Sequence, residues 1–522
     1  MSDRRVRFIR GNDQEERQAI LRALDERTVR IELPAGSVSH DHQLLALAVT
    51  DLLGRLFPRI SIACDEGIEA SPGLPPGSGS LRERLEQVRH HGIGPEEPDE
   101  PALTLGIGTD DDADLYADGT SWQSYLGTQP SQLDHGGDNG NPIGALAAAS
   151  RVCAHAFRQM LSDFLGEHEV PVSVYSSALG FSNSDKPIEI VDLISATQIE
   201  AVLVGAGSVG GATVYALARV RGLYGSLAVV DPQRLEPKNP DRALLATPIA
   251  ANANEPKADV AADALEGQRP ALRVEAYQQT VAEFVAGRDR EEPLPLMMCA
   301  VDSVEARRSL QDCLPLRVIN AACNPDEATV SSHVTGAGAC TCCLHMADVL
   351  NEEQVRWRLI SAATGWNRDR VVAYLIGNLP LQKSDLRSIE QHRGLNAGTL
   401  ESYENDSLDD LWRAELLYGE ARFETVSGLA VAVAAPWVTS LAGFLLAAEV
   451  LKTFAGLDGG DLLGPHADSP GVQWQENLYA SPQHGLLGRP QRWVGNECLC
   501  RSARRRRLTI ARYGLDEGDY PP

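Results

Sequence analysis

The clearest pattern of apolar and polar positions lies between Ile199 and Asp231. An apolar run from Ala201 to Val204 is typical of a buried parallel strand. Apolar residues at helical spacing follow between Gly211 and Val220, and a second apolar run, Leu227 to Val230, ends at an acid. The stretch therefore predicts a strand, a turn, a helix and a second strand in direct succession.

The turn between the first strand and the helix is rich in glycine, with Gly205, Gly207 and Gly210 in the spacing GxGxxG. Glycines at this place let the backbone approach a phosphate at the helix N-terminus, and Asp231 can hold ribose hydroxyls. The spacing alone is weak evidence, but here both flanking strands and the acid accompany it. We therefore interpret the unit as a nucleotide-binding site; the alternative is a glycine turn that serves packing alone.

Residues 1–190 also alternate between predicted strands and helices. The strands are at Thr28–Leu33, Arg59–Ala63 and Leu103–Ile107, and the main helices run over His40–Phe57 and from Asn141 to about Leu165. Such alternation indicates a parallel sheet with covered faces. This region has no glycine triad and no acid closing a second strand. We predict a Rossmann-like α/β domain without a nucleotide site.

The second predicted domain covers residues 191–512, with further strands at Met297–Val301 and Arg317–Ala322. Residues 351–424 are more polar and predict an inserted loop or a small helical subdomain. Val426 to Ala448 contains no charged residue and is long enough to cross a bilayer, but it includes Pro436 and lacks flanking aromatic anchors. We interpret this segment as a strand followed by a buried helix, not as a membrane span.

Composition narrows the class of protein. The 522-residue chain is long enough for two or three domains, and its net charge of −25 argues against nucleic acid as a main partner. The first ten residues have bases but no apolar core of a signal peptide, so we expect a cytoplasmic protein with no membrane attachment. In that compartment, the cysteine clusters at residues 340–343 and 498–500 favour metal ligands over disulfides.

Four polar side chains fall where a nucleoside triphosphate bound at the glycine turn would need them. Arg242 and Lys257 can neutralise phosphate oxygens, and Asn239 can orient the nucleotide. Asp302 ends a central predicted strand, at the edge where open α/β sheets bind ligands, and it can hold a magnesium ion. Each residue alone is more commonly a solvated surface group. Their combination behind a glycine turn favours function.

The ordered motifs GAGSVGG, VVDPQRLEPKNPDR, NEPKADVAADAL, AVDSVEARR and CTCCL resemble the ThiF/MoeB/HesA superfamily, which includes the ubiquitin-activating enzymes. The resemblance covers residues ~190–350 well and ~425–512 more loosely. It implies an adenylyltransferase that uses ATP to activate the C-terminal glycine carboxylate of a small ubiquitin-like or sulfur-carrier protein. Pyrophosphate would leave and an acyl-adenylate would remain. The implied roles are ribose binding by Asp231, phosphate binding by Asn239, Arg242 and Lys257, and binding of magnesium and the α-phosphate by Asp302.

The family works as a dimer, or as a pseudo-dimer within one chain, with an arginine crossing from the partner half. The resemblance therefore implies that residues 1–190 are an inactive adenylation half, and it leaves a homodimer open. Arg17 lies in a segment that resembles the N-terminal arginine-glutamine helix of the family. We expect Arg17 to be the crossing arginine; the alternative is an exposed helical arginine.

Two departures from the family concern the nucleotide edge and the metal. Gln233 stands where the family often has a second acid. The last cysteine pair is Cys498-x-Cys500 instead of CxxC. Together with Cys340 and Cys343 it still predicts a structural zinc site with four thiolates. Cys342 is an alternative ligand, and reduced buried cysteines are the alternative interpretation.

A third departure concerns the nucleophile. Members that form a thioester carry a cysteine between the zinc pair and the last buried helix, whereas this chain has no cysteine from Leu344 to Glu497. Either the reaction stops at the adenylate and a separate protein captures it, or another residue serves. Cys323 is the nearby candidate, although a small core thiol is the more common role.

Two other functions are compatible with parts of the pattern. An NAD(P)-dependent oxidoreductase shares the glycine fingerprint and the acid, but it would leave Arg242, Lys257 and the cysteines unexplained. A catalytically inactive scaffold with the same fold would bind a partner only. Retained exchange between ATP and pyrophosphate would separate the scaffold from the enzyme.

Overall fold

The computed structural model describes residues 6–10, 14–72, 74, 79–88, 101–135, 140–166, 169–188, 196–289, 292–324, 326–334, 339–344, 360–361, 364–393, 397–398, 400–415, 420–424, 430–457, 472–479, 485–488 and 502–514. The strands in chain order are β1 (Val6–Arg10), β2 (Val29–Glu32), β3 (Ile60–Ala63), β4 (Leu103–Ile107), β5 (Leu115–Thr120), β6 (Gln123–Gly127), β7 (Ser173–Ser177), β8 (Ser182–Ser184), β9 (Thr197–Val204), β10 (Leu223–Val230), β11 (Leu272–Tyr277), β12 (Leu296–Cys299), β13 (Arg317–Cys323), β14 (Glu327–Val334), β15 (Glu420–Glu424), β16 (Ala430–Ala434), β17 (Val472–Asn477) and β18 (Leu486–Gly488).

The helices in chain order are α1 (Gln14–Glu26), α2 (His40–Gly54), α3 (Leu81–Gln87), α4 (Ile143–Met160), α5 (Ser162–Leu165), α6 (Ser208–Leu217), α7 (Pro248–Asn252), α8 (Lys257–Glu266), α9 (Val281–Gly287), α10 (Val304–Ser309), α11 (Thr341–Leu344), α12 (Arg368–Gly377), α13 (Lys383–Arg393), α14 (Leu408–Glu415), α15 (Pro436–Ala455) and α16 (Ala503–Tyr513). Short 3₁₀ helices lie at Leu310–Cys313 and Glu401–Tyr403.

An eight-stranded sheet organises the C-terminal half, which we define as residues 191–512. Its spatial order is β11-β10-β9-β12-β13-β14-β17-β18, with the first five strands parallel and the last three antiparallel to their neighbours. Strand β9 is buried on both faces over Ala201–Val204, as the continuous apolar run predicts. The predicted α/β fold class is confirmed.

A seven-stranded sheet organises the N-terminal half, residues 1–190. Its order is β3-β2-β4-β5-β6-β7-β8, with four parallel strands followed by three antiparallel ones. Strands β2, β3 and β4 and helices α2 and α4 fall where the sequence predicts them. The long helix ends at Met160 and a short one follows, so the single predicted helix is two. Strands β5 to β8 were not predicted.

The two sheets repeat one pattern of strand order and direction. In each sheet the second strand along the chain lies to one side of the first, and, apart from the edge strand β11, the later strands continue on the other side. In each sheet a long helix, α4 or α15, lies in the chain between the first two antiparallel strands. The seven-stranded sheet differs by having no counterpart of the edge strand β11 among the described strands. This repetition supports a duplicated architecture within one chain.

Helix α15 lies between the two halves and packs on α4 and α6. It is long and apolar enough to cross a membrane by length and composition, yet 83% of its apolar window is buried within the protein. Lys452 of this helix donates to the carbonyl oxygens of Ala178 and Leu179, at 3.0 and 3.1 Å, across the interface between the halves. The helix is therefore buried within the protein, as the sequence predicts.

Two smaller units complete the described structure. Strand β1, at the start of the chain, pairs with β16, and β16 pairs with β15. The polar region 351–424 contains helices α12, α13 and α14 around an apolar cluster that includes Trp366, Val371 and Leu386. These helices share an apolar core of their own, which is what a small helical subdomain requires.

Candidate active site

The glycine turn joins β9 to the N-terminus of α6. Gly205 has φ +92°, and a Cβ on it would lie 2.6 Å from the carbonyl oxygen of Ala300. A Cβ on Gly210 would lie 1.8 Å from the carbonyl oxygen of Gly205. Both positions therefore require glycine for the chain to fold around the turn.

Gly207 is different, because a Cβ there would meet no atom within 4 Å. It is the cap residue of α6 and has no side chain to accept hydrogen bonds from the first turn of that helix. Packing thus explains Gly205 and Gly210 but not Gly207. Open space at an uncapped helix N-terminus is what an anion such as a phosphate needs.

Asp231 follows β10 directly and lies beside the glycine turn. Its Oδ2 accepts a hydrogen bond from the backbone N–H of Ala206 at 2.7 Å, and its Oδ1 accepts one from Gln233 at 2.7 Å. Burial raises the pKa of Asp231, while the charge of Lys257 opposes that rise. The acid therefore links the turn to the end of the second strand, at the place where ribose hydroxyls are expected.

Lys257 is the first residue of α8 and reaches the same edge of the sheet. Its Nζ donates to Oε1 of Gln233 at 2.7 Å, and its backbone N–H donates to the carbonyl oxygen of Gln233 at 3.0 Å. Gln233 therefore positions the lysine. Asp302 follows β12 on the same edge, is exposed, and contributes to the raised pKa of Asp231 through its charge.

Asn239 and Arg242 belong to one loop beyond β10. Oδ1 of Asn239 accepts from the backbone N–H of Glu236 at 2.7 Å, so this side chain shapes the turn of the loop. The backbone N–H of Arg242 donates to the carbonyl oxygen of Asn239 at 3.0 Å, and the Arg242 side chain is buried. The structure thus brings Asp231, Lys257 and Asp302 together, and it holds Asn239 and Arg242 on a loop tied to the same strand end.

Arg55 crosses from the N-terminal half to this loop. Its guanidinium donates to the carbonyl oxygens of Pro240, Ala243 and Leu244, the last two at 2.9 and 3.2 Å. Nε and Nη2 also bind Oδ1 of Asp51, at 3.1 and 2.7 Å. Sequence reasoning missed Arg55, because a single arginine after an apolar helix carries no local signal of a partner so far along the chain.

The structure describes two of the four cysteines of the predicted zinc site. Cys340 and Cys343 are buried with their sulfur atoms 3.8 Å apart. Zinc–sulfur bonds of about 2.3 Å in a tetrahedral site place two sulfurs about 3.8 Å apart, so this pair fits the metal. Cys342 is also buried nearby, while Cys498 and Cys500 lie outside the described residues.

Two further expectations concern Arg17 and Cys323. Arg17 belongs to helix α1, but its side chain lies outside the described part of the structure. Cys323 is buried at the end of β13, in the apolar core. A core position accounts for this thiol without a catalytic role.

An uncapped glycine turn, a buried acid and a lysine at the carboxyl edge of a largely parallel sheet define a Rossmann-type nucleotide-binding protein. The sequence model of the ThiF family matches residues 191–476, more than half of the 522-residue chain. The chain belongs to the ThiF family. Its class is therefore that of ATP-dependent adenylyltransferases of the ThiF/MoeB kind, not of dehydrogenases.

Known proteins similar to the chain include an uncharacterized protein, y4jF, of Sinorhizobium fredii (strain NBRC 101917 / NGR234). It is 27% identical over 463 residues, which cover 84% of this chain and 82% of y4jF. Among solved structures, E. coli MccB with AMPCPP and MccA is 14% identical, over 59% of this chain and 67% of MccB, with a TM-score of 0.34. PaaA is 15% identical, over 56% of this chain and 72% of PaaA, with a TM-score of 0.31.

Proposed function

We propose that this protein uses MgATP to adenylate the C-terminal carboxylate of a small protein in the cytoplasm. The substrate would be of the ubiquitin-like or sulfur-carrier type, with a terminal glycine. Membership in the ThiF family supports the adenylyl transfer. The observation that carries the nucleotide site is the open space at Gly207 beside Asp231. The partner class rests on the resemblance of the motifs from Gly205 to Cys343 to enzymes that activate such carriers.

The reaction balances without a further reactant. An oxygen of the substrate carboxylate forms a bond to the α-phosphorus of ATP, and the bond from that phosphorus to the bridging oxygen breaks. Pyrophosphate leaves with the electron pair of that bond, and an acyl-adenylate remains. Such a transfer needs positioning and neutralisation of charge more than it needs an acid or a base.

Each predicted site residue has a part in that positioning. Asp231 would accept from the ribose hydroxyls, and the N-terminus of α6 would bind phosphate oxygens at Gly207. Lys257 and Arg242 would offset phosphate charge, and Asn239 would keep the loop in shape. Asp302 would hold the magnesium ion, which when bound supplies positive charge to the phosphate oxygens.

Two structural roles accompany this proposal. Residues 1–190 would act as a degenerate adenylation half, which the repeated strand pattern and the crossing of Arg55 support. Cys340 and Cys343 would provide two ligands of a structural zinc, supported by their 3.8 Å spacing, and Cys498 and Cys500 would provide the others. Since no cysteine occurs from Leu344 to Glu497, the adenylate would be the product released to a separate acceptor.

The test is exchange of labelled pyrophosphate into ATP, measured with the full-length protein alone and with small glycine-terminated proteins. We expect exchange that depends on one carrier and disappears when the terminal glycine of that carrier is deleted. A peptide with a free C-terminal carboxylate provides a second arm, which would identify a peptide substrate instead. Nucleotide binding without exchange in any arm would indicate a scaffold, and the proposed function would be wrong.

The variant Asp302→Ala tests the metal-binding acid. We expect it to abolish exchange and to leave the fold intact, since the side chain is exposed. Asp263→Ala is the matched control, because Asp263 is an exposed acid of helix α8, six residues along from Lys257. If exchange survives in Asp302→Ala at the level of the control, the assignment of Asp302 is wrong.

A further inference from the structure

Three polar side chains that the proposed reaction does not use converge in the N-terminal half. His42 lies in the first turn of α2, Asp118 lies on β5, and His135 follows β6 in the chain. Helix α2 follows β2 as α6 follows β9, so the cluster sits at the edge that holds the glycine turn in the other sheet. A different chemistry therefore occupies the corresponding edge of the seven-stranded sheet.

The three ligand atoms form a small triangle. Nε2 of His42 lies 3.0 Å from Nε2 of His135, and the two nitrogens lie 3.0 and 2.8 Å from Oδ1 of Asp118. That oxygen also accepts the backbone N–H of Gly119 at 2.7 Å. Three nitrogen atoms thus crowd one carboxylate oxygen, and two of them face each other.

With both imidazoles neutral, hydrogen bonds cannot account for all three close contacts among the two Nε2 atoms and Oδ1 of Asp118. If both imidazoles carry a proton on Nε2, the two N–H groups point at one oxygen and their hydrogens meet. If one imidazole lacks that proton, its lone pair faces the lone pairs of Asp118. A cation among the three atoms would receive a lone pair from each of them, and Gly119 would keep its hydrogen bond to Oδ1.

The dimensions suit a first-row divalent metal. Bonds of about 2.0–2.1 Å to nitrogen and oxygen in a tetrahedral site place two ligand atoms about 3.3 Å apart. The observed separations are a few tenths of an ångström shorter, a difference that small rotations of the side chains remove. Two imidazoles and a carboxylate are ligands that zinc and its neighbours in the first row accept.

The surroundings hold the ligands in place. Oδ2 of Asp41 lies 3.8 Å from Nδ1 of His135 and accepts from Oγ1 of Thr120 at 2.7 Å, so it can orient the imidazole with Nε2 toward the centre. Gly108 has φ +59°, and a Cβ there would lie 2.2 to 2.5 Å from three ring atoms of His42. Asp41 and Asp118 are both buried, so the site holds two carboxylates whose charge a divalent cation would balance.

We propose that His42, Asp118 and His135 bind a divalent metal cation of the zinc class, at a site separate from the cysteines. With three protein ligands, one coordination position is left for water or for a further ligand. The competing occupant is a proton. Burial opposes protonation, but the hydrogen bond to Asp118 and the negative charges of Asp118 and Asp41 raise the pKa of His135 to about 9, so an imidazolium would also stabilise the cluster.

The test measures zinc on the full-length protein. The protein is stripped with a chelator, loaded with Zn²⁺ and freed of excess metal, and a mercurial reagent then blocks the thiols and displaces any zinc bound by cysteines. We expect the wild type to retain a single zinc per chain by plasma mass spectrometry. Retention of none would show that the cluster does not hold zinc, and the proposal would fail.

Variants identify the ligands. Asp118→Asn keeps the size of the side chain. This variant and the separate variant His42→Ala should each lose the retained zinc. Asp41→Asn should weaken zinc binding about tenfold or more, the effect of losing a group that orients a ligand. His392→Ala is the matched control, because His392 is an exposed histidine of α13. Retention of zinc by both ligand variants at the control level would overturn the assignment.

Discussion

Arg55 offers the sharpest test of how the two halves cooperate. In Arg55→Ala the guanidinium is lost, and Asp51 loses a buried ion-pair partner, since the Asp51 and Arg55 side chains are 8% and 1% exposed. Three loop carbonyls also lose their charged donor. Removing one partner of a buried ion pair costs about 3–5 kcal/mol. We expect the free energy of unfolding to fall by that amount.

The same change should affect the nucleotide site. The carbonyls that Arg55 binds belong to Pro240, Ala243 and Leu244, which flank Asn239 and Arg242. A loosened loop would bind phosphates less well, so we expect the KM for ATP to rise about tenfold, equivalent to about 1.4 kcal/mol. The value of kcat should change less, because Arg55 is a positioning residue whose guanidinium is already bound to the loop.

The assays are urea unfolding followed by tryptophan fluorescence and ATP–pyrophosphate exchange at varied ATP. Arg59→Ala is the matched control, since exposed Arg59 donates to the carbonyl oxygen of Asp25 at 2.9 Å within the N-terminal half. Adding Asp51→Ala to Arg55→Ala should recover part of the lost stability, because it removes the buried carboxylate that has lost its ion-pair partner. If Arg55→Ala behaves like the control in both assays, the crossing arginine does not support the loop.

Other predictions concern the glycine turn, the cysteines and pH. Gly207→Ala should change the free energy of unfolding by no more than about 0.5 kcal/mol but weaken ATP binding about tenfold, whereas Gly210→Ala should lower the free energy of unfolding by about 1–3 kcal/mol. Calorimetric titration measures ATP binding, and urea unfolding measures stability. Unchanged ATP binding in Gly207→Ala would restore the interpretation that the glycine turn serves packing alone. Cys340→Ser should release a zinc ion and lower the unfolding midpoint, and unchanged metal content would remove the zinc proposal. Because burial raises the pKa of Asp231, ATP affinity should begin to fall on acidification at a higher pH than for an ordinary aspartate, and Asp231→Asn should remove that part of the pH dependence in a fluorescent-nucleotide titration.

The C-terminal half was largely predictable because its signals are local. The continuous apolar run before Gly205 marks a strand buried on both faces, and the acid Asp231 ends the next strand of the same unit. Charge and position beside the glycine turn indicated Asn239 and Lys257, and the family motifs implied phosphate-binding roles for both residues. The structure adds the partner of the lysine, Gln233, whose role depends on how the loop folds back.

The N-terminal half was less predictable because its polar residues have distant partners. Strands β5 and β6 are fully buried although they carry acids, amides and hydroxyls. Asp118 meets two histidines from other segments, Thr120 donates to Asp41, and Ser124 accepts from Arg151. A pattern of apolar positions cannot show that a polar strand is buried when the groups that satisfy it lie elsewhere in the sequence.

The contacts between the halves determine how the nucleotide site responds to dilution of the protein. Arg151 of α4 forms a two-point ion pair with Glu476 of β17, at 2.6 and 2.8 Å, and Phe181 stacks on Trp474 across the same interface. Because one chain supplies both sides, association of the halves is intramolecular and does not depend on encounter in solution. The support that Arg55 gives the nucleotide loop is then the same at nanomolar as at micromolar protein. An enzyme that obtained the same support from a second subunit would lose it on dilution.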